Sequence, residues 1–93
     1  MSMTKEHLEQ AGRLLLGDEW KRPLAKLLGP HYPNSPRPTI DPRLPFRWAS
    51  GERPVPSWVT ATLATLLIDR KAELEHMARE ADRLATELAL AVR

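Results

Sequence analysis

Ninety-three residues without a cysteine admit one small domain, with an arm or a long helix attached, and exclude disulfides, thiolate metal sites and thiol catalysis. At 42% hydrophobic and 28% charged residues, the chain is too apolar for full disorder. No apolar run approaches the ~20 residues of a membrane span and residues 1–6 lack a signal-peptide core, so no membrane association and a cytoplasmic location are expected. The net charge of +2 hides a segregation, because residues 20–56 hold seven cations against two anions while both flanking segments are net acidic.

Thr4 can cap a first helix whose apolar positions Leu8, Ala11, Leu14 and Leu15 share one face, and Gly17 can end it. A second helix is predicted from Trp20 or Lys21 to Leu28, closed by Gly29, with Leu24, Leu27 and Leu28 as its buried stripe. Pro23 is tolerable there only in the first turn. Four prolines within residues 30–39 deny that stretch a regular helix or a central strand and predict an extended, polyproline-like loop. A loop this long in so small a domain is functional or mobile. Asp41-Pro42 joins a cap to a proline at the first helical position and predicts a third helix over 42–50, ended by Gly51. Pro45 is awkward at the fourth position of that helix. Arg53-Pro54-Val55-Pro56 reads as a stiff connector, and Ser57 as the cap of a fourth helix.

The fourth helix carries the strongest pattern. From Trp58 to Val92 there is no Gly or Pro. In a heptad frame Leu67, Leu74, Ala81 and Leu88 take one core position, and Leu63, Met77, Leu84 and Ala91 take the other; Arg70 is the one break. A helix of ~35 residues is ~50 Å long, more than the body of this domain can cover. Its distal half needs a partner, and a second copy of the chain is the simplest one. The expected homodimer interface is Leu67, Leu74, Met77, Ala81, Leu84 and Leu88. Ala78 and Ala85 flank this seam where charges would fix a parallel register, which favours an antiparallel or bundled arrangement. The competing expectation is that the stripe folds back onto the first helix as ordinary core.

Five of the seven cations in residues 20–56 are Arg, the residue suited to forked contacts with phosphate and guanine, so a polyanion is the expected partner. The run Leu16-Gly17-Asp18-Glu19-Trp20-Lys21-Arg22-Pro23-Leu24-Ala25-Lys26-Leu27-Leu28-Gly29, followed by Arg47-Trp48-Ala49-Ser50-Gly51-Glu52-Arg53-Pro54-Val55-Pro56-Ser57-Trp58-Val59, resembles the helix-turn-helix of Cro/C1-type (lambda-repressor-like) DNA-binding proteins of bacteria and phages. The resemblance covers roughly residues 8–68. It implies an all-α fold with a helix-turn-helix DNA-binding domain over 1–56, including the Pro-rich loop 30–39; the heptad pattern adds a long C-terminal helix over 57–93 for core packing and dimerisation. The resemblance also implies that residues 20–28 are the first motif helix and that 41–50 form the recognition helix in the major groove, anchored by Ile40 and Trp48. Arg43 and Arg47 would then contact bases. Lys21, Arg22, Lys26, Arg37 and Arg53 would contact the DNA backbone. The sequence departs from the family in two ways. Residues 30–39 are inserted where a short turn is usual, and Pro42, Leu44, Pro45 and Phe46 stand where polar, base-reading residues are usual.

His7, His31 and His76 are far apart and no carboxylates join them at a metal-ligand spacing. There is no phosphate-binding glycine loop and no nucleophile or zinc-protease motif. No enzyme activity, metal or cofactor is therefore expected. The resulting expectation is a small transcriptional regulator, a repressor acting by occlusion, that binds double-stranded DNA as a homodimer with half-sites ~34 Å apart. Two alternatives stand beside it. One is a protein-binding module, a phage-type inhibitor or adaptor, docking through Tyr32, Leu44 and Phe46. The other is a nucleoid-type, non-specific DNA binder. Tyr32 and Phe46 also have a plainer reading, as apolar pins that close the loop over the core.

Overall fold

The computed structural model describes residues 3–92, and every regular element among them is helical. Helix α1 spans Lys5–Leu16, α2 Lys21–Leu28, α3 Leu44–Ser50 and α4 Ser57–Ala91, and a single 3₁₀ turn covers Gly29–His31. Thr4 caps α1 as its sequence suggests, its Oγ1 accepting the His7 N–H at 3.1 Å. The core is drawn from every helix: Leu8 and Ala11 of α1, Leu24, Ala25 and Leu28 of α2, Trp48 of α3, and Val59 and Leu63 of α4. Trp20 and Ile40, just outside the helices, complete it. Side chains of this kind stabilise by ~1.5–3 kcal/mol each on full burial. Gly12 lies in the middle of α1, a position where glycine is normally unfavourable. A Cβ there would overlap the Trp20 indole, so the missing side chain is what lets the indole pack against α1.

Gly29 closes α2 as expected, in a right-handed conformation, φ −50° and ψ −51°, and the chain continues into the 3₁₀ turn. Glycine is required there for space: a Cβ would meet the Thr39 nitrogen at 2.6 Å and the Pro38 carbonyl carbon at 2.7 Å. Three local expectations are corrected by the structure. Loop 30–39 is not extended. It leaves α2 at Gly29 and returns to the same point, with the Arg37 N–H donating to the Gly29 carbonyl at 3.0 Å and the Ile40 N–H to the Ala25 carbonyl at 3.1 Å. Asn34 makes the reversal with φ 60°, a conformation asparagine tolerates better than most residues.

The other two corrections concern helix starts. An Asx turn, in which Asp41 Oδ1 accepts the Arg43 N–H at 2.9 Å, wraps around Pro42 and delays α3 until Leu44. Pro45 thereby falls in the first turn, where no amide donor is needed, and its awkwardness disappears. At α4 the capping position belongs to Pro56, in extended conformation, whose carbonyl accepts the Val59 and Thr60 N–H groups at 3.1 and 3.2 Å. Ser57 is therefore the first helical residue and not the cap.

Only the first third of α4 packs on the body, through Val59 and Leu63, with Leu66 and Leu67 half-buried. From residue 71 onward every described residue is exposed. The molecule measures 59 × 26 × 25 Å, and α4 sets its long dimension. The expectation that the whole stripe folds back onto α1 is not met. Leu14, expected in the core, is 60% exposed.

Candidate nucleic-acid interface

The middle third places most of its cations around the first turns of α2 and α3. Lys21 begins α2, and its Nζ lies 5.8 Å from the Phe46 ring centroid and 5.9 Å from that of Trp20. The starts of α2 and α3 thus share one surface. Arg22 and Lys26 follow one helical turn apart and are exposed. Arg43 stands immediately before α3 with its side chain 73% exposed. Arg47, one turn on, is 33% exposed and pairs with Glu52 at 3.6 Å. Arg53 is exposed, and its backbone N–H donates to the Arg47 carbonyl at 3.2 Å.

Two classes of cation emerge. Among the described residues, Lys21, Arg22, Lys26 and Arg53 make no ion pair. Arg43 and Arg47 are each held by a carboxylate. Arg43 is held most firmly: Nε donates to Asp41 Oδ1 at 3.1 Å and NH2 to Oδ2 at 3.0 Å. These bonds lower the Asp41 pKa from 3.8 to about 2; the Arg43 side chain contributes most, its backbone N–H next, and partial burial opposes both. The Arg43 pKa is raised by the same hydrogen bonds. A guanidinium has two forked edges. Asp41 occupies one, through Nε and NH2, and the NH1/NH2 edge remains to form a second fork. Sequence reading missed Asp41 and Glu52 as partners. The signal for Asp41 was in the Asp-Pro-Arg spacing, where an Asx turn brings the third side chain back to the first.

Arg37 belongs to the loop. Its guanidinium stacks 3.9 Å from the Tyr32 ring centroid and donates to the Ser35 carbonyl and hydroxyl at 3.2 and 3.1 Å. Tyr32 in turn meets Trp58 edge-on, with centroids 5.4 Å apart. The three residues of the protein-docking alternative are thus placed differently. Tyr32 and Leu44 pack against the core as partly buried residues, and Phe46, at 47% exposure, is the one that faces outward. Phe46 and Ala49 floor a groove of about 780 Å³. Its α2 side carries Lys21 and Arg22, and its α1 side carries Glu6 and Glu9.

A second apolar surface runs along α4. Leu74, Met77, Leu84 and Leu88 of the heptad stripe are all substantially exposed, as is Ala81. Leu14, Leu67, Leu74 and Ala78 line a groove of about 460 Å³. Leu14 thus extends the stripe of α4 instead of joining the core. The charged flanks of α4 pair within the helix: Arg83 reaches Glu80 at 2.8 Å and Glu87 at 2.9 Å, and Arg70 reaches Glu73 at 3.2 Å. Among the described residues no His, Cys, Asp and Glu cluster is arranged to hold a metal ion, and no helix is long and apolar enough to cross a membrane. No family model, curated protein or solved structure matches this chain.

Proposed function

We propose that the protein is a small DNA-binding regulator in which α2 and α3 act as a helix-turn-helix and α4 pairs two copies. The observation that carries this reading is the arrangement at α3. An exposed arginine, oriented by Asp41 and with one forked edge unused, stands immediately before α3, and α3 meets the start of α2 where Phe46 lies under Lys21; Lys21 and Arg22 make no ion pair among the described residues. A guanine offers O6 and N7 to such a fork in the major groove. Unpaired lysines and arginines to either side suit the phosphates, which position the protein without reading sequence. Holding Arg43 in advance removes part of the entropy lost on binding. The long loop does not disturb this geometry, because it closes on Gly29 and delivers Ile40 back to α2.

In this reading the stripe from Leu67 to Leu88 forms the homodimer seam and presents two copies of α3 to two half-sites, spaced by a helical turn or a multiple of it. Binding across a promoter would exclude other proteins, so repression by occlusion needs no further domain. The alternative of a protein-docking module rests on Phe46 and Ala49 in their mixed-charge groove.

Repeated selection of bound duplexes from a pool with a random central segment tests the proposal. A shared sequence with related half-sites, requiring Arg43, is the expected result. A pool that never departs from random would contradict a sequence-reading role, and retention of that pool only at low salt would identify a non-specific binder.

A further inference from the structure

We infer that Phe46 is a specificity residue that reads the C5-methyl group of thymine in the major groove. The inference rests on the DNA-binding reading above and adds a base preference to it. The α3 core contacts are already made by Leu44, Pro45 and Trp48, of which Pro45 and Trp48 are buried. Phe46 is not needed there: it is 47% exposed, with Lys21 over its ring, in the groove that Arg22, Glu6 and Glu9 also line. Arg43 precedes it by three residues, so the two side chains leave the same side of the helix start. A surface that brings Arg43 to base edges therefore brings the Phe46 ring with it.

In a paired, stacked duplex the faces of the bases are covered, so the ring cannot stack on one and meets base edges instead. Those edges in the major groove are mostly hydrogen-bonding groups, and the apolar group that projects furthest from them is the methyl of thymine. An apolar ring placed against any other edge would strip water from a donor or acceptor and return nothing. Against thymine it removes two apolar surfaces from water. Lys21, now over the ring at 5.8 Å, has the reach to leave it for a phosphate as the ring is covered. Contact with one methyl corresponds to about fourfold in affinity, and two half-sites to about fifteenfold.

The test uses the selected duplex pool, copied once with dTTP and once with dUTP, so that only the methyl groups differ. Binding of the full chain to both copies is measured by fluorescence anisotropy, with wild type, Phe46→Ala and Phe46→Leu. Wild type should bind the thymine copy about fifteenfold more tightly. Phe46→Ala should lose that ratio, and Phe46→Leu should keep part of it. If Phe46→Ala binds neither copy, the Phe46→Leu ratio decides: a value below wild type and above one supports the assignment, and an unchanged value overturns it. Equal binding of the two copies by wild type overturns this inference and leaves the DNA reading intact, as does a wild-type ratio in Phe46→Ala. A pool that never enriches overturns the DNA reading and this inference with it.

Discussion

Asp41 links the local geometry of α3 to a measurable titration. Its carboxylate is held by both the side chain and the backbone N–H of Arg43, and its pKa falls from 3.8 to about 2. A depressed carboxylate stabilises the folded state above its ordinary pKa and loses that contribution as pH falls through the lowered value. The pair should thus be intact at every pH above 3.8 and weaken only toward pH 2. Carboxyl NMR should place the Asp41 midpoint near 2, and Arg43→Ala should return it toward the ordinary range; an unshifted midpoint in wild type would show that the fork does not form. Gly12 makes a second prediction at this scale. Alanine there gains helix propensity but collides with the buried Trp20 indole, and overpacking of this kind outweighs it, at about 1–3 kcal/mol. Thermal unfolding of Gly12→Ala should show a lowered Tm, with an unchanged or raised value contradicting the packing. The resemblance implied Trp48 and Ile40 as core, and both are buried. Composition and pattern did not give Gly12, because the need for a missing side chain arises only once Trp20 is packed across the helix.

At the level of elements, the ends of helices were less legible than their existence. The signal at Asp41 is real local chemistry, whereas Ser57 makes no capping bond. An Asx turn around Pro42 and an extended Pro56 moved the actual starts by one or two residues. The Pro-rich loop was legible as lacking a regular helix but not as a closed excursion opened by a 3₁₀ turn, because its return depends on contacts between Gly29 and residues 37–39. Long loops tolerate this because closure entropy grows slowly with length. Its cation, Arg37, is engaged by Tyr32 and Ser35, whereas Lys21 makes no ion pair among the described residues. Lys21→Ala should therefore reduce the salt slope of DNA binding by about one, and Arg37→Ala should leave it unchanged while lowering Tm. Equal effects of the two substitutions on the slope would place the loop on the DNA. Tyr32→Ala should destabilise by about 1–2 kcal/mol through loss of the edge contact with Trp58, measured by denaturant unfolding.

On the scale of the whole molecule, α4 is the conspicuous feature. It spans 35 residues, and the part beyond residue 70 is exposed along an apolar stripe. The heptad pattern made this legible because period alone reports a long amphipathic face. What it left open was where the core ends and the exposed stripe begins, and that Leu14 shares a groove with Leu67 and Leu74 could be seen only in three dimensions. A chain truncated after Leu67 should sediment as a monomer and bind DNA more weakly, since two linked contacts become one. A truncated chain that remains dimeric would refute the α4 interface. The central claim is that α3 reads sequence, and fluorescence anisotropy tests it most directly. The duplexes are the DNA preceding the protein's own coding sequence and a scrambled version of it, at ~50 and ~200 mM salt. Tighter binding to the native duplex that survives the higher salt and is lost in the Arg43→Ala/Arg47→Ala double variant is the predicted result. Equal binding to both duplexes that vanishes at the higher salt, or no binding at either, would contradict it.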